Sequence, residues 1–186
     1  MSLLIFDKIN HACYSKRKKQ KLVAIMAWTS ESNIIDAAKW LKRKAELIED
    51  KTVLIARKAT RNTPYIAYVR RGGVFDCELG LGNIGGEKNK TRPVLILSTN
   101  TLNRGHTVLV VPLSTKFDRD PTTKLAKYKN HYLLKKSDYA FLDKDSVAKF
   151  EDLRSVDVVR LRKFRGNVNK KDMQGMKDNL LFTSGY

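Results

Sequence analysis

Cysteine is nearly absent from this chain. Only Cys13 and Cys77 occur among its 186 residues. They stand alone, with no C-x-x-C pair and no third thiol, so a disulfide framework and a cysteine-bound zinc both lack support. His11, His106 and His131 show no ligand spacing among themselves or with the cysteines. Neither a G-x-S-x-G elbow nor a GxxxxGK[ST] phosphate loop is present, which leaves hydrolase-elbow and nucleotide-hydrolysing readings without a basis. No apolar run is long enough to cross a membrane, and Met1–Phe6 is too short before Asp7 for a signal peptide. These absences place the chain in a reducing cytoplasm, with no cofactor and no metal, and Cys77 reads as a small apolar filler in a strand. Acidic residues are also in deficit: 19 Asp and Glu face 37 Lys and Arg, a formal net charge of +18. Such an excess repels itself, so it points to a polyanionic partner whose phosphates attract the cations and release counterions. An anionic membrane surface fits less well, because no helix sets a wide apolar face opposite a basic one along its whole length.

What is present is enough hydrophobic residue, 42% of the chain, to bury a core and exclude global disorder. The character changes near residue 66. Residues 1–66 read as a basic N-terminal extension, with a basic run (Lys16, Arg17, Lys18, Lys19, Lys21), an unassigned apolar run Leu22–Trp28, and one amphipathic helix over about 30–50. Met26 is an alternative start of translation, which would remove the basic run. Ser30 or Ser32 can cap the helix, and Ile34, Ala37, Ala38, Leu41, Ala45 and Ile48 recur at 3.6-residue spacing. That stripe needs a partner, either the main domain or another copy of itself.

Residues 67–186 read as a second unit, mainly β. Strand candidates are Tyr68–Leu79, Pro93–Ser98, Thr107–Leu113, His131–Leu134, Ser146–Phe150 and Val156–Leu161. The second and third are continuous apolar runs bounded by turn formers, as in strands buried on both faces. A closing helix spans roughly Lys170–Phe182, with Met173, Met176, Leu180 and Leu181 on one side. Short strands followed by a lone helix predict a small barrel or strongly bent sheet with helical cover, an α+β fold.

Three places can carry chemistry. Arg92 stands at the mouth of a buried strand, between a glycine-rich loop and Pro93, and its planar five-donor fork suits a phosphodiester. Taken alone, the residue fits a solvated loop arginine better. Ser114 and Thr115 end the next strand, where hydroxyls reach the same sheet edge or simply terminate the strand as turn formers. Glu151-Asp152-Leu153-Arg154-Ser155-Val156-Asp157 packs acids around an arginine, which an ordinary ion-pair cluster also explains.

Four segments, in order, resemble one family. Arg71-Gly72-Gly73-Val74-Phe75 is similar to the R-G-[DE]-[IV] first strand of MazF/PemK toxins. Gly85-Gly86-Glu87, then Arg92-Pro93-Val94-Leu95-Ile96-Leu97, resembles their G-x-E…R-P-V-L segment. Val110-Val111-Pro112-Leu113-Ser114-Thr115 resembles the strand ending in their hydroxyl pair. Asp145-Ser146-Val147-Ala148 with Glu151-x-x-Arg154-Ser155-Val156-Asp157 resembles D-S-V-A…E-Q-x-R-[ST]-[IV]-D. The similarity covers about residues 68–183.

This resemblance implies an SH3-like barrel, a homodimer, and a messenger-RNA endoribonuclease restrained by a cognate, acidic antitoxin. It places Arg92 as the catalytic arginine, Ser114 at the catalytic threonine's position and Thr115 beside it. It marks Glu87 as part of the loop over the site, and Arg154 with Asp157 at the substrate edge. Arg71, Lys88, Lys90 and Arg70 would contact single-stranded RNA, with bases stacked on Phe75 or Phe117. The chain departs from the family at four positions. Gly73 replaces the usual acid, Gly86 a histidine found in some members, and Lys116 and Asp152 the usual glutamines. No acid–base role transfers to Gly73 or Gly86. Two alternatives stand beside the nuclease: an RNA-binding module without activity, and a gyrase-poisoning toxin of the CcdB type. The latter acts through a C-terminal Trp-Gly-Ile, whereas this chain ends Ser184-Gly185-Tyr186.

Overall fold

The computed structural model describes residues 31–56, 69–83 and 87–186. The basic run, Leu22–Trp28 with Met26, Tyr68, and the Gly85-Gly86 pair lie outside the described residues. Helix α1 spans residues 31–56, six residues beyond the expected end. Seven antiparallel strands follow: β1 (Gly73–Glu78), β2 (Thr91–Ile96), β3 (Thr107–Ser114), β4 (His131–Leu134), β5 (Ser146–Lys149), β6 (Arg154–Asp157) and β7 (Leu161–Asn167). Short helices α2 (Lys170–Gly175) and α3 (Lys177–Ser184) close the chain.

The strands run β4-β5-β3-β2-β1-β7, and β6 pairs with β3. Strand β3 is shared between two partners on one edge. Its first half meets β6, with Thr107 opposite Asp157 and Val110 opposite Arg154. Its end meets β5, with Leu113 opposite Ala148. Alternation along the strands feeds two cores. Val74, Leu95, Val111, Leu113, Ala148 and Phe150 join Met173 and Met176 on one face. Cys77, Val94, Ile96, Val108, Val110 and Val156 gather on the other, with Leu54 of α1 packed against them. Burial on both sides explains why β2 and β3 read as continuous apolar runs rather than alternating ones.

The expected α+β class holds, but the sheet does not close into a complete barrel. Strands β4 and β7 are its two ends and do not pair with each other. Helix α2 and the segment after β4 stand at that opening. Met173 lies against Gly72, Tyr132 of β4 against Gly175, and the Phe141 ring against Gly166 of β7. Gly72 has φ +86, and its amide donates to the Ile96 carbonyl at 2.9 Å. A Cβ there would stand 3.1 Å from the Val168 carbonyl, so a side chain is strained in both torsion and space.

The single C-terminal helix expected from sequence is interrupted at Met176, where α2 gives way to α3. Asn169 caps α2 by accepting from the Asp172 amide at 2.8 Å. Strand β7 was not expected at all. Its sequence, LRKFRGN, is mostly exposed beyond Leu161 and lacks the apolar alternation that marks a half-buried strand. It forms because β1 offers a free edge and Phe164 meets Phe75 with ring centroids 5.1 Å apart. No helix among the described residues is long and apolar enough to cross a membrane.

Helix α1 does not pack through its expected stripe. The side turned to the sheet carries buried Leu47 and half-buried Trp40, Arg43, Lys51 and Leu54. Ile34, Leu41 and Ile48 are 68%, 71% and 66% exposed. Arg43 donates from Nε to Glu78 at 2.9 Å, and Lys51 Nζ reaches Asp157 at 2.5 Å. Near its start α1 passes so close to Gly82 that a Cβ there would lie 2.8 Å from the Asn33 carbonyl. Charge pairs and one leucine therefore choose the inner face, overriding the larger apolar stripe.

Candidate functional site

The loop between β1 and β2 returns through a tight backbone pair. Leu79 donates to the Lys90 carbonyl at 3.0 Å, and Lys90 donates to Gly80 at 2.5 Å with Lys90 at φ 64. This pins the start of β2, so Arg92 stands opposite Cys77 of β1. Arg92 is half-buried, and its Nε donates to the Asn89 carbonyl at 2.9 Å. Among the described residues no protein acceptor takes a hydrogen bond from its two terminal nitrogens. The guanidinium is thus fixed at its base, and no described residue occupies the end that can grip an anion.

Across the next ladder Val94 pairs with Pro112. Arg92 and Ser114 each lie two residues beyond that pair, toward the same end of the sheet. Two-residue spacing keeps both on the face of Val94. Ser114 Oγ donates to the Lys116 carbonyl and accepts from the Lys116 amide, both at 3.2 Å. Its hydroxyl is therefore held in the local turn that the sequence left as its alternative role, while Thr115 is exposed beside it.

Arg154 joins the same face from β6, opposite Val110. Its Nη1 donates to the Lys88 carbonyl at 3.4 Å, and Lys88 Nζ pairs with Asp152 at 3.2 Å. Lys88 and Arg154 are thus locked together where the β1–β2 loop meets β6. Lys90 is exposed at the mouth of a cavity of about 390 Å³, shared with Trp40, Arg43 and Thr91. Glu87 is exposed at the edge of the 84–86 segment.

Two candidates lie elsewhere. The Arg71 amide bonds Asn100 and its Nη1 donates to the Leu97 carbonyl at 2.6 Å, past the far end of β2 from Arg92. Asp157 stands opposite Thr107, at the other end of β3 from Ser114. Its carboxylate caps the turn at Val158–Arg160 by accepting from the Val159 amide at 3.0 Å, and it also holds Lys51. Of the expected aromatics, Phe75 is core and covered by Phe164, while Phe117 is half-buried beneath Arg119 at 4.9 Å.

The structure adds Arg160, which sequence reading missed. It lies over the Trp40 ring at 5.0 Å, and its Nε is buried without a partner among the described residues. Desolvation, with the neighbouring Arg154 charge, lowers its proton affinity, while Cys77, Glu78 and Asp157 oppose that. Arg160 is half-buried, and a charged group partly removed from water favours an anion beside it. The available signal was Asp157 acting as a cap before Val-Val-Arg, which sets a short helical turn ending at Arg160. Burial pushes the Cys77 thiol up to about 12, so it stays neutral and serves as filler.

One sheet face thus carries Arg92, whose terminal nitrogens meet no acceptor among the described residues, the Ser114 hydroxyl held in its turn, and Arg154, with exposed Thr115 just past the strand end. Residues 70–182 match the family of PemK-like, MazF-like toxins of type II toxin–antitoxin systems. The chain belongs to this family. The Endoribonuclease MazF of Staphylococcus saprophyticus is 30% identical over 118 residues, covering 63% of this chain and 92% of that protein. Among solved structures, Mycobacterium tuberculosis toxin MazF-mt6 aligns over 61% of this chain and 96% of its own, with 15% identity and a TM-score of 0.47. An endoribonuclease in complex with its cognate antitoxin, from a mycobacterial species, aligns over 63% and 96%, with 21% identity and a TM-score of 0.47. Within this MazF/PemK chain the matched region holds every candidate site residue, and helix α1 lies outside it.

Proposed function

We propose that this MazF/PemK-family endoribonuclease cuts single-stranded messenger RNA by attack of a ribose 2′-hydroxyl on its own adjacent phosphate. The 2′ oxygen forms a bond to phosphorus, the bond to the 5′ oxygen breaks, and the products end in a 2′,3′-cyclic phosphate and a 5′-hydroxyl. The 2′ proton passes to a base and the departing 5′ oxygen gains a proton. Because the nucleophile is part of the substrate, the first step needs neither a bound metal nor water. The protein's task is to stabilise charge on the phosphorane oxygens, where preorganised donors act most strongly.

Arg92 takes that role, supported by Ser114 and Thr115. The observation that carries the assignment is its pair of terminal nitrogens, which no acceptor among the described residues takes, held at the sheet end where Ser114 also emerges. A guanidinium remains charged at neutral pH and is a poor general base, so Arg92 supplies charge and donors rather than accepting the 2′ proton. Lys88, Lys90, Arg154 and Arg160 would track the flanking phosphates, with Glu87 in the loop over the site. Arg71 and Asp157 are too far along the strands to share the scissile phosphate, and would touch only distant nucleotides.

A cognate antitoxin fits the family and the +18 charge, which favours an acidic partner. A homodimer in the cytoplasm completes the reading. The test is incubation with a long single-stranded RNA in excess EDTA. Fragments ending in a cyclic phosphate are expected. Binding without fragments would identify an RNA-binding module, and neither binding nor cutting would favour a gyrase poison.

A further inference from the structure

The outward side of α1 carries an apolar stripe with no cover among the described residues. Ile34, Ala38, Leu41, Ala45, Ile48, Thr52 and Ile55 follow one another at steps of four and three. All seven are exposed, Ile34, Leu41, Ile48 and Ile55 by 68%, 71%, 66% and 44%. Steps of four and three keep side chains on one line of a helix and are the seam of a coiled coil. The opposite side of α1 is already committed to the sheet through Leu47, Arg43 and Lys51. Large residues alternate strictly with small ones, Ile, Leu, Ile and Ile against Ala, Ala and Thr.

We infer that α1 is a self-association helix, and that its outer stripe pairs antiparallel with the same stripe of a second copy of this chain. Size selects the direction. A parallel pair would stack Ala on Ala and Ile on Ile, leaving gaps at one layer and crowding at the next. An antiparallel pair sets each large residue against a small one: Ala38 meets Ile55, Leu41 meets Thr52, and Ala45 meets Ile48. Charge selects the register. Lys42 and Glu49 flank the stripe on one side and are both exposed. The register that matches those three layers places Lys42 of each copy beside Glu49 of the other, twice over. Shifting by one heptad in either direction brings Lys42 to Lys42, or Glu49 to Glu49. On the other flank Lys51 is neutralised by Asp157, and Lys44 Nζ lies 5.8 Å from the Trp40 ring centre. Stripe and flank are thus complementary to themselves, which is what a two-fold contact between identical chains requires. This contact is independent of the site on the sheet.

Sedimentation of the full chain at micromolar concentration, with and without Leu41→Asp, tests it. The expected result is a halving of mass with unchanged circular dichroism or, where a sheet contact joins the same two chains, an unchanged mass with loss of the inter-chain disulfide that Ala45→Cys with Ile48→Cys forms across the stripe. An unchanged mass with that disulfide retained, or a full chain that never forms it, would overturn the inference, whether the stripe is then covered by the chain's own residues 1–30 or by a different protein. If Leu41→Asp fails to fold, the exposed charges decide. Lys42→Glu and Glu49→Lys should each weaken association about fivefold, and the double reversal should restore it. In a parallel pair Glu49 would neighbour Lys44, so a double reversal no tighter than the single variants would overturn the antiparallel contact.

Discussion

Lys51 of α1 and Asp157 at the end of β6 are joined by an ion pair of 2.5 Å, 106 residues apart in the chain. The contact ties the N-terminal helix to the strand that also presents Arg154. It uses a carboxylate that the motif alone assigned to RNA.

The pair is not what holds α1 in place. Lys51 is about one-third exposed, and pairs of that kind contribute about 0.5 kcal/mol or less. Leu47, 5% exposed, contributes more, and Leu47→Ala should cost about 2 kcal/mol of docking. Hydrogen exchange of α1 amides should accelerate at least tenfold in Leu47→Ala and by no more than about twofold in Lys51→Ala. The reverse order would show that charge, not burial, anchors the helix.

Acid should loosen the β4–β5 hairpin through Glu151. Its carboxylate contacts His131 Nε2 at 2.8 Å and accepts from Asn130 at 2.8 Å. Desolvation pushes Glu151 up, but the His131 hydrogen bond, its own amide and the His131 and Lys149 charges together hold it below the usual carboxylate value. A depressed group stabilises the fold above about pH 4.5, its ordinary value, and that stability is lost as pH falls through the lowered one. Denaturation curves at falling pH should therefore be flatter for Glu151→Gln than for wild type below about pH 4.5. Parallel curves would remove Glu151 from the acid response.

RNA affinity should respond steeply to salt. Five phosphate contacts, from Lys88, Lys90, Arg92, Arg154 and Arg160, give about a hundredfold loss between 50 and 200 mM for a single strand, at a slope of about −0.7 per contact. Arg154→Gln should reduce the slope by about 0.7. A flat response would contradict the electrostatic part of the account.

Much of the frame was legible because local pattern and tertiary context agree. Strand β4 was placed residue for residue, and β3 to within one, since both run between turn formers with apolar residues facing a core. The order Arg92, Ser114, Arg154 was readable as motif, and strand register then brings these residues to one face. What escaped depends on partners distant in sequence. Strand β7 exists by pairing with β1, and its charged residues hide it from any periodicity. Arg160 meets Trp40, a residue of α1 more than a hundred positions earlier, so no local pattern announces it. Helix α1 was recognised correctly but its inner face was not, because the surface that buries Leu47, with Glu78 and Asp157 beside it, follows it in the chain by tens of residues.

The most direct test of the central claim is the single-turnover cleavage rate of Arg92→Ala on a single-stranded RNA in EDTA, at saturating protein and matched circular dichroism. Loss of one preorganised donor to the developing charge costs about a hundredfold or more. The account predicts a drop of at least that size, with RNA affinity reduced by less than about tenfold. A rate near wild type would contradict it and leave Arg92 as an ordinary loop arginine.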